Sequence, residues 1–239
     1  ENQSLRYLIW DFDGTLGYRE GGMWTLTLLE IVQRTMPELG VTYDGLKGFL
    51  RVGYPWHTPE RPHLELETAD AWWAALDPVL TRALLGVGVP AEATGEMVRA
   101  FRPLYTDLFR WRLFPDTLPV LRELSVAGWR HVVLTNHVPE LPAIIDHLGL
   151  APQVAALFNS AQTGYEKPHP QSFRNVLDWA VEPEAIWMIG DNPKADIAGA
   201  EALGISAILV RTSHPDVKHC CAELSQVQEI VQKDYCPSN

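Results

Sequence analysis

The chain has 239 residues, 46% hydrophobic and 21% charged, which suits one large globular domain or a core carrying an insertion. Its formal net charge of −11 argues against binding nucleic acid over a broad surface, because phosphate backbones would be repelled. No apolar run approaches the roughly 18 residues needed to span a bilayer, so no membrane partner is expected; the three cysteines, Cys220, Cys221 and Cys236, are an odd number near the C-terminus and fit a reducing, cytoplasmic compartment better than a disulfide framework.

The first apolar run, Tyr7-Leu8-Ile9-Trp10, is too short for a secretory signal and leads directly into Asp11. Because it does not alternate with polar residues, it reads as a strand buried on both faces. The stretch after it is mainly helical in pattern. Leu26, Leu28, Leu29 and Val32 open one helix, residues 71–85 form a second and residues 92–109 a third. This block of about 90 residues is far longer than an ordinary strand-to-helix connection. The expected organisation is an α/β core in residues 1–20 and 111–239, with an inserted helical subdomain in residues 21–110. Residues 45–62 hold glycines, prolines, Tyr54, Trp56 and His57, and read as a structured loop within the insertion. Trp56, His57, Arg51 and Arg61 could face a ligand, although aromatic rings more commonly pack and arginines more commonly meet solvent. Trp72-Trp73 is expected in the core of the helical part.

Beyond the insertion, Leu118, Val120, Leu121 and Leu124 recur at helical spacing until Gly128 stops them. His131-Val132-Val133-Leu134 is a second buried strand, ending at Thr135-Asn136. Residues 143–148 form a short helix ended by Gly149, and Phe173, Val176, Leu177 and Ala180 mark another. A third strand, Ala185-Ile186-Trp187-Met188-Ile189, precedes Gly190-Asp191. A helix over residues 196–203 follows, closed by Gly204, and then a strand, Ala207-Ile208-Leu209-Val210. Alternating strands and helices imply a doubly wound parallel α/β sheet, in which ligands bind beyond the carboxyl ends of the strands. Three polar clusters fall at those ends, so one shared site is expected.

Asp11-Phe12-Asp13-Gly14-Thr15 is the strongest of these signals. Two carboxylates two residues apart point the same way along a strand, and their repulsion calls for a metal or a shared proton. Gly14 permits a sharp turn out of the site. Thr135-Asn136 offers a hydroxyl and an amide to an anion, though it could equally cap a helix. Lys167 is followed by Pro168 and Pro170, which fix the backbone around a cation. Asp191 and Asp196 supply a second acidic pair, and Asp196 alone could serve as a cap. A zinc site from His214, His219, Cys220 and Cys221 is disfavoured, since the spacing fits no usual pattern.

Taken in order, Asp-x-Asp-Gly-Thr, the strand-end Thr-Asn, Lys-Pro and Gly-Asp-x4-Asp resemble the four motifs of the haloacid dehalogenase (HAD) superfamily, over nearly the whole chain. The resemblance implies a Rossmann-like core under a mobile C1-type helical cap. It implies a Mg²⁺-dependent phosphatase acting on a small phosphorylated metabolite. Asp11 would attack phosphorus and form an aspartyl-phosphate, while Asp13 would serve as general acid and then base. Thr135, Asn136 and Lys167 would bind the phosphoryl oxygens. Asp11, the backbone carbonyl of Asp13 and Asp191 would hold Mg²⁺, with Asp196 orienting Lys167 or a metal-bound water. An acid at Asp13 argues against the dehalogenases and phosphonatases of the superfamily. A sugar phosphomutase, or a catalytically silent binding protein, is the alternative.

Overall fold

The computed structural model describes residues 5–66 and 68–233. It contains eight strands among those residues: β1 (Arg6–Trp10), β2 (Gly17–Arg19), β3 (Trp111–Leu113), β4 (Trp129–Thr135), β5 (Val154–Asn159), β6 (Ala185–Gly190), β7 (Ser206–Val210) and β8 (Cys220–Cys221). Six form one parallel sheet in the order β5-β4-β1-β6-β7-β8. β1 lies inside it, which is why its run is apolar without alternation: Leu8, Ile9 and Trp10 have no exposed surface. Leu8 and Trp10 pack into one core cluster and Tyr7 and Ile9 into another, as successive side chains on a strand must. Burying such side chains contributes about 1.5–3 kcal/mol each.

Helices cover both faces, so the architecture is the expected doubly wound α/β, Rossmann-like sheet. Five helices fall between β2 and β3: α1 (Trp24–Thr35), α2 (Tyr43–Lys47), α3 (Ala69–Ala74), α4 (Asp77–Gly86) and α5 (Ala91–Tyr105). After β3 come α6 (Thr117–Val126), α7 (Leu141–His147), α8 (Ser160–Thr163), α9 (Pro170–Ala180), α10 (Gly199–Glu201) and α11 (Val227–Lys233). Leu121 and Leu124 of α6 and Ile144 of α7 join the cluster around Trp10; Phe173 and Val176 of α9 join the cluster around Ile9.

β2 and β3 form an antiparallel ribbon, pairing Gly17 with Leu113 and Arg19 with Trp111, so the chain leaves for α1–α5 and returns at adjacent points. Arg19 ties this junction together. It is buried, and its guanidinium donates to the carbonyls of Tyr105 (2.9 Å) and Leu104 (2.7 Å), which the end of α5 leaves without helical partners. Two further ties link the helical segment to the sheet-bearing part. The indole N–H of Trp73 donates to Glu140 (3.1 Å), and the amide of His63 donates to Gly164 O (2.8 Å). Trp72 and Trp73 are both buried, as their pairing suggested.

Three sequence expectations need correction. The helix expected over residues 71–85 is two helices, because Leu76 ends the first turn pattern and Pro78 starts a new helix at its second position. The helix expected to run to residue 109 ends at Tyr105, and a 3₁₀ turn, Leu108–Arg110, follows. β5 was not anticipated. Its run Val154-Ala155-Ala156-Leu157-Phe158 is apolar but weak in β-forming residues, with two alanines, and only Asn159 at its end is fully buried.

Candidate active site

The parallel register sets Trp10 opposite both Val133 and Ile189. Asp11, Thr135 and Asp191 therefore leave the sheet along the same edge. The amide of Asp11 donates to Ile189 O (2.9 Å), extending the ladder one residue past β1. The chain then turns back through Leu16 N to Phe12 O (2.9 Å) and Gly17 N to Phe12 O (3.0 Å). Gly14 has φ of +79°, and a Cβ built on it would run into the Asp191 carboxylate. Glycine is needed there twice over, for the backbone and for the close approach of Asp191.

Lys167 is the centre of the charge network. Its buried ammonium donates to Asp11 Oδ1 (2.8 Å) and Asp196 Oδ1 (2.6 Å). Burial alone would lower its pKa, but the two carboxylates outweigh burial and hold it above its ordinary value. The Asn136 side chain grips the Lys167 backbone, donating from Nδ2 to its carbonyl (2.9 Å) and accepting its amide at Oδ1 (2.7 Å). Asn136 lines the cavity as expected, yet its amide group engages Lys167, which makes it a positioning residue for that lysine.

Asp196 has both oxygens engaged, Oδ1 by Lys167 and Oδ2 by the Asn192 amide (3.0 Å). The regular helix expected over residues 196–203 is instead a π-helical turn, Pro193–Ala198, followed by the short α10. Asn192 starts that turn by accepting the amides of Lys194 (3.0 Å) and Ala195 (2.9 Å) on its side chain. The wider turn carries Asp196 inward against Gly190, where no Cβ could fit.

Asp13 and Asp191 complete the acidic set. Burial, followed by the charges of Asp11 and Asp191, raises Asp13 well above the usual carboxylate range. Burial, with Asp11 and Asp196 nearby, pushes Asp191 up to about 7. Asp13 Oδ1 is buried without a partner, and Oδ2 lies 3.4 Å from His137 Nε2. His137 escaped the sequence reading, although it directly follows Thr135-Asn136. Its buried ring packs between Phe12 (centroids 5.5 Å apart) and Trp111 (5.0 Å), and burial pulls its pKa down to about 4. Burial thus favours the neutral imidazole and, beside it, the protonated form of the Asp13 carboxyl.

These groups line a cavity of about 540 Å³. Asp11, Asp13, Thr135, Asn136, Lys167, Asp191 and Asp196 all reach it, so the structure brings every candidate core residue to one place. The helical segment supplies the facing wall: Trp24, Trp56, His57, Pro59 and Tyr105. Of these only Trp56 and His57 were anticipated. Arg51 is exposed and does not line the cavity, and Arg61 lines a separate one of about 220 Å³.

Carboxylate oxygens of Asp11, Asp191 and Asp196 lie within 4.8 Å of one another, and this is the sole cluster of its kind among the described residues. His214, His219, Cys220 and Cys221 form none; Cys236 lies outside the described residues. Hard oxygen donors suit Mg²⁺. Because Asp196 is fully engaged by Lys167 and Asn192, Asp11 and Asp191 are the carboxylates left to a cation. Among the described residues no helix is long and apolar enough to cross a membrane.

The fold and site thus define a class: a parallel α/β core with acids and a buried lysine gathered at its carboxyl edge, beneath an inserted helical wall. A family model described as haloacid dehalogenase-like hydrolase matches residues 5–204, and the chain belongs to that family. Over 148 residues it is 33% identical to phosphoserine phosphatase of Thermus thermophilus, covering 61% of this chain and 58% of that protein. Over 101 residues it is 34% identical to phosphoglycolate phosphatase of Rhodospirillum rubrum, covering 41% of each. The matches thus span less than two thirds of these relatives' length. In fold it is similar to a 2-haloacid dehalogenase of Pseudomonas syringae pv. Tomato (TM-score 0.64, 23% identity, 97% of this chain and 100% of that one). It is also similar to the HAD-hydrolase YfnB of Bacillus subtilis, a structure bound to magnesium that reveals interdomain movement (TM-score 0.69, 17% identity, 96% and 100%).

Proposed function

We propose that this protein is a Mg²⁺-dependent phosphatase that hydrolyses a small-molecule phosphate monoester through an aspartyl-phosphate on Asp11. The observation that carries this reading is a division of labour between two carboxyls. Lys167 Nζ pairs with Asp11 at 2.8 Å, while Asp13 lines the same cavity with its Oδ1 left without a partner, and burial favours its protonated form. One is suited to attack and the other to donate, which is how paired acids run nucleophilic and acid–base catalysis together. That phosphatases stand among its relatives agrees with this, and so does the acid at Asp13.

Lys167 holds Asp11 Oδ1 and leaves the other oxygen to attack phosphorus in line with the leaving alkoxide. Asp13 gives its proton to that alkoxide as the ester P–O bond breaks. Asp13, now ionised, takes a proton from the water that attacks the aspartyl-phosphate, releasing phosphate and restoring Asp11. Thr135 and Lys167 meet the phosphoryl oxygens and stabilise the charge that builds on them. Mg²⁺ would be held by Asp11, Asp191 and the Asp13 carbonyl, and it would supply charge neutralisation between the acids and the phosphoryl group.

The helical insertion, residues 21–110, acts in this reading as a C1-type cap over the core, and its closure excludes water from the site. Its wall already faces the acids across one cavity, and the YfnB structure offers a precedent for interdomain movement. Free Cys220 and Cys221 agree with a reducing, cytoplasmic location. The test is hydrolysis of p-nitrophenyl phosphate, a monoester: release of phosphate with Mg²⁺ and none in excess EDTA is expected, while full activity in chelator would refute the metal-assisted scheme.

A further inference from the structure

The strand-end residues account for a phosphoryl group, yet the cavity is far larger than one. At about 540 Å³ it lies in the range of sites that enclose a whole metabolite. What fills the rest must be compatible with the wall contributed by the helical segment. That wall is aromatic. Trp24 and Trp56 have centroids 5.2 Å apart, and Trp24 stacks on Tyr105 at 4.3 Å. Trp56 is backed in turn by Tyr54, nearly parallel at 4.6 Å. The rings are braced on one another, so the indoles present a preorganised surface.

The same wall carries no fixed cation. Its one titratable side chain besides Tyr105 is His57, whose pKa burial lowers. Arg51 and Arg61 do not reach the cavity. Lys167 is committed to Asp11 and Asp196, and the remaining lysine, Lys194, stands exposed on the turn after Asn192, on the core side. A leaving group with a carboxylate or second phosphate would lose water against indole without gaining a counter-charge from this wall. An uncharged ring would lose little and gain stacking area.

We infer that the site selects phosphate monoesters whose leaving alcohol is uncharged and ring-bearing, with the ring lying on Trp24 and Trp56. This rests on the phosphatase reading above and narrows it. The apolar face of a sugar and the face of an aromatic ring share this chemistry, and the substrates below separate them.

The experiment measures kcat/KM for acetyl phosphate, benzyl phosphate, glucose 6-phosphate, O-phosphoserine and phosphoglycolate, in the parent and in Trp56→Ala and Trp56→Phe. A ring ester should exceed both carboxylate-bearing esters by at least tenfold; whether benzyl phosphate or glucose 6-phosphate leads tells which ring chemistry fits. Trp56→Ala should lower the ratio of ring ester to acetyl phosphate about tenfold, chiefly through KM, and Trp56→Phe should restore most of it. Preference for the carboxylate-bearing esters, or an equal fall on every substrate in Trp56→Ala, would overturn the inference. Turnover of the monoester p-nitrophenyl phosphate by the parent reports on the phosphatase reading separately. Should that turnover be absent, tryptophan-fluorescence titration of the parent with benzyl phosphate and phosphoglycolate still decides: tenfold tighter binding of benzyl phosphate upholds the ring preference, and equal binding ends it.

Discussion

Lys167 and Trp24 stand on opposite walls of one cavity and are held there by opposite physics. Lys167 has two buried salt bridges and a backbone clamp from Asn136, so its head group and main chain are both fixed, with one ammonium N–H left to face the cavity. Trp24 is held by rings: Tyr105 and Phe101 stacked on it and Trp56 tilted against it. Deleting a partner on the charged wall strands a buried charge. Deleting a ring on the aromatic wall opens space that neighbours can partly fill. The end of the site that would perform the reaction is therefore intolerant of change, and the end that would choose the substrate is adjustable.

The hardest blow to the charged wall is Asp11→Asn. The amide is nearly isosteric and a poor nucleophile, so turnover should fall by about 10⁶, the scale seen when a covalent nucleophile is lost, with the unfolding midpoint little changed. Activity within tenfold of the parent would remove Asp11 from that role. Asp191→Ala should come next: it takes away a carboxylate beside Asp11, and Mg²⁺ titrations of activity should shift to higher concentration by about 10–100-fold or more. An unchanged titration would place the cation elsewhere.

Lys167→Met tests the contrast in stability. It leaves Asp11 and Asp196 buried without their shared cation, and a loss of about 3–5 kcal/mol by denaturant unfolding is expected. A neutral effect would mean that the charged wall is as adaptable as the aromatic one.

Under both walls lies His131, which accepts the Trp10 indole N–H at Nδ1 (3.0 Å) and has Nε2 2.8 Å from Leu121 O. Burial drops its pKa from 6.5 to about 4. The folded state thus refuses a proton that the unfolded chain accepts, so this group's contribution is complete above pH 6.5 and is lost as pH falls toward 4. The loss amounts to about 3 kcal/mol. His131→Gln keeps both hydrogen bonds without titrating, so the parent should lose that much more stability than the variant between pH 7 and 4. Parallel curves would show that His131 is not held neutral. Asp13 has the opposite sign in activity: its raised pKa keeps the acid protonated, and kcat/KM should decline as pH rises through that value.

The charged wall was legible in the sequence, and the aromatic wall mostly was not. Asp11, Thr135 and Asp191 each end an apolar run, and a parallel sheet gathers such ends by topology alone. Lys167 is on a loop, and what marked it was the prolines beside it. By contrast, nothing in the pattern separates Trp24 and Tyr105, which line the cavity, from Phe101, which packs behind them. All three lie on amphipathic helices, α1 and α5, whose periodicity reports burial and not what the buried face meets. His137 was missed for a related reason: a histidine after a strand is unremarkable until a carboxyl is found 3.4 Å away.

The succession of the strands β1, β4, β6 and β7 along the chain and the identity of the acids at their ends follow from local spacing, because buried parallel strands leave continuous apolar runs in the chain. Three things depended on contacts distant in sequence. Asn136 clamps the backbone of Lys167, 31 residues away, while still lining the cavity. The stretch after Asn192 became a π-helical turn, with Asp196 drawn in against Gly190 and onto Lys167. Trp24 and Trp56 met across the helical segment to form the wall that faces the acids. Hydrogen bonds and ring stacking between remote residues carry no periodicity, so only the folded chain decides them.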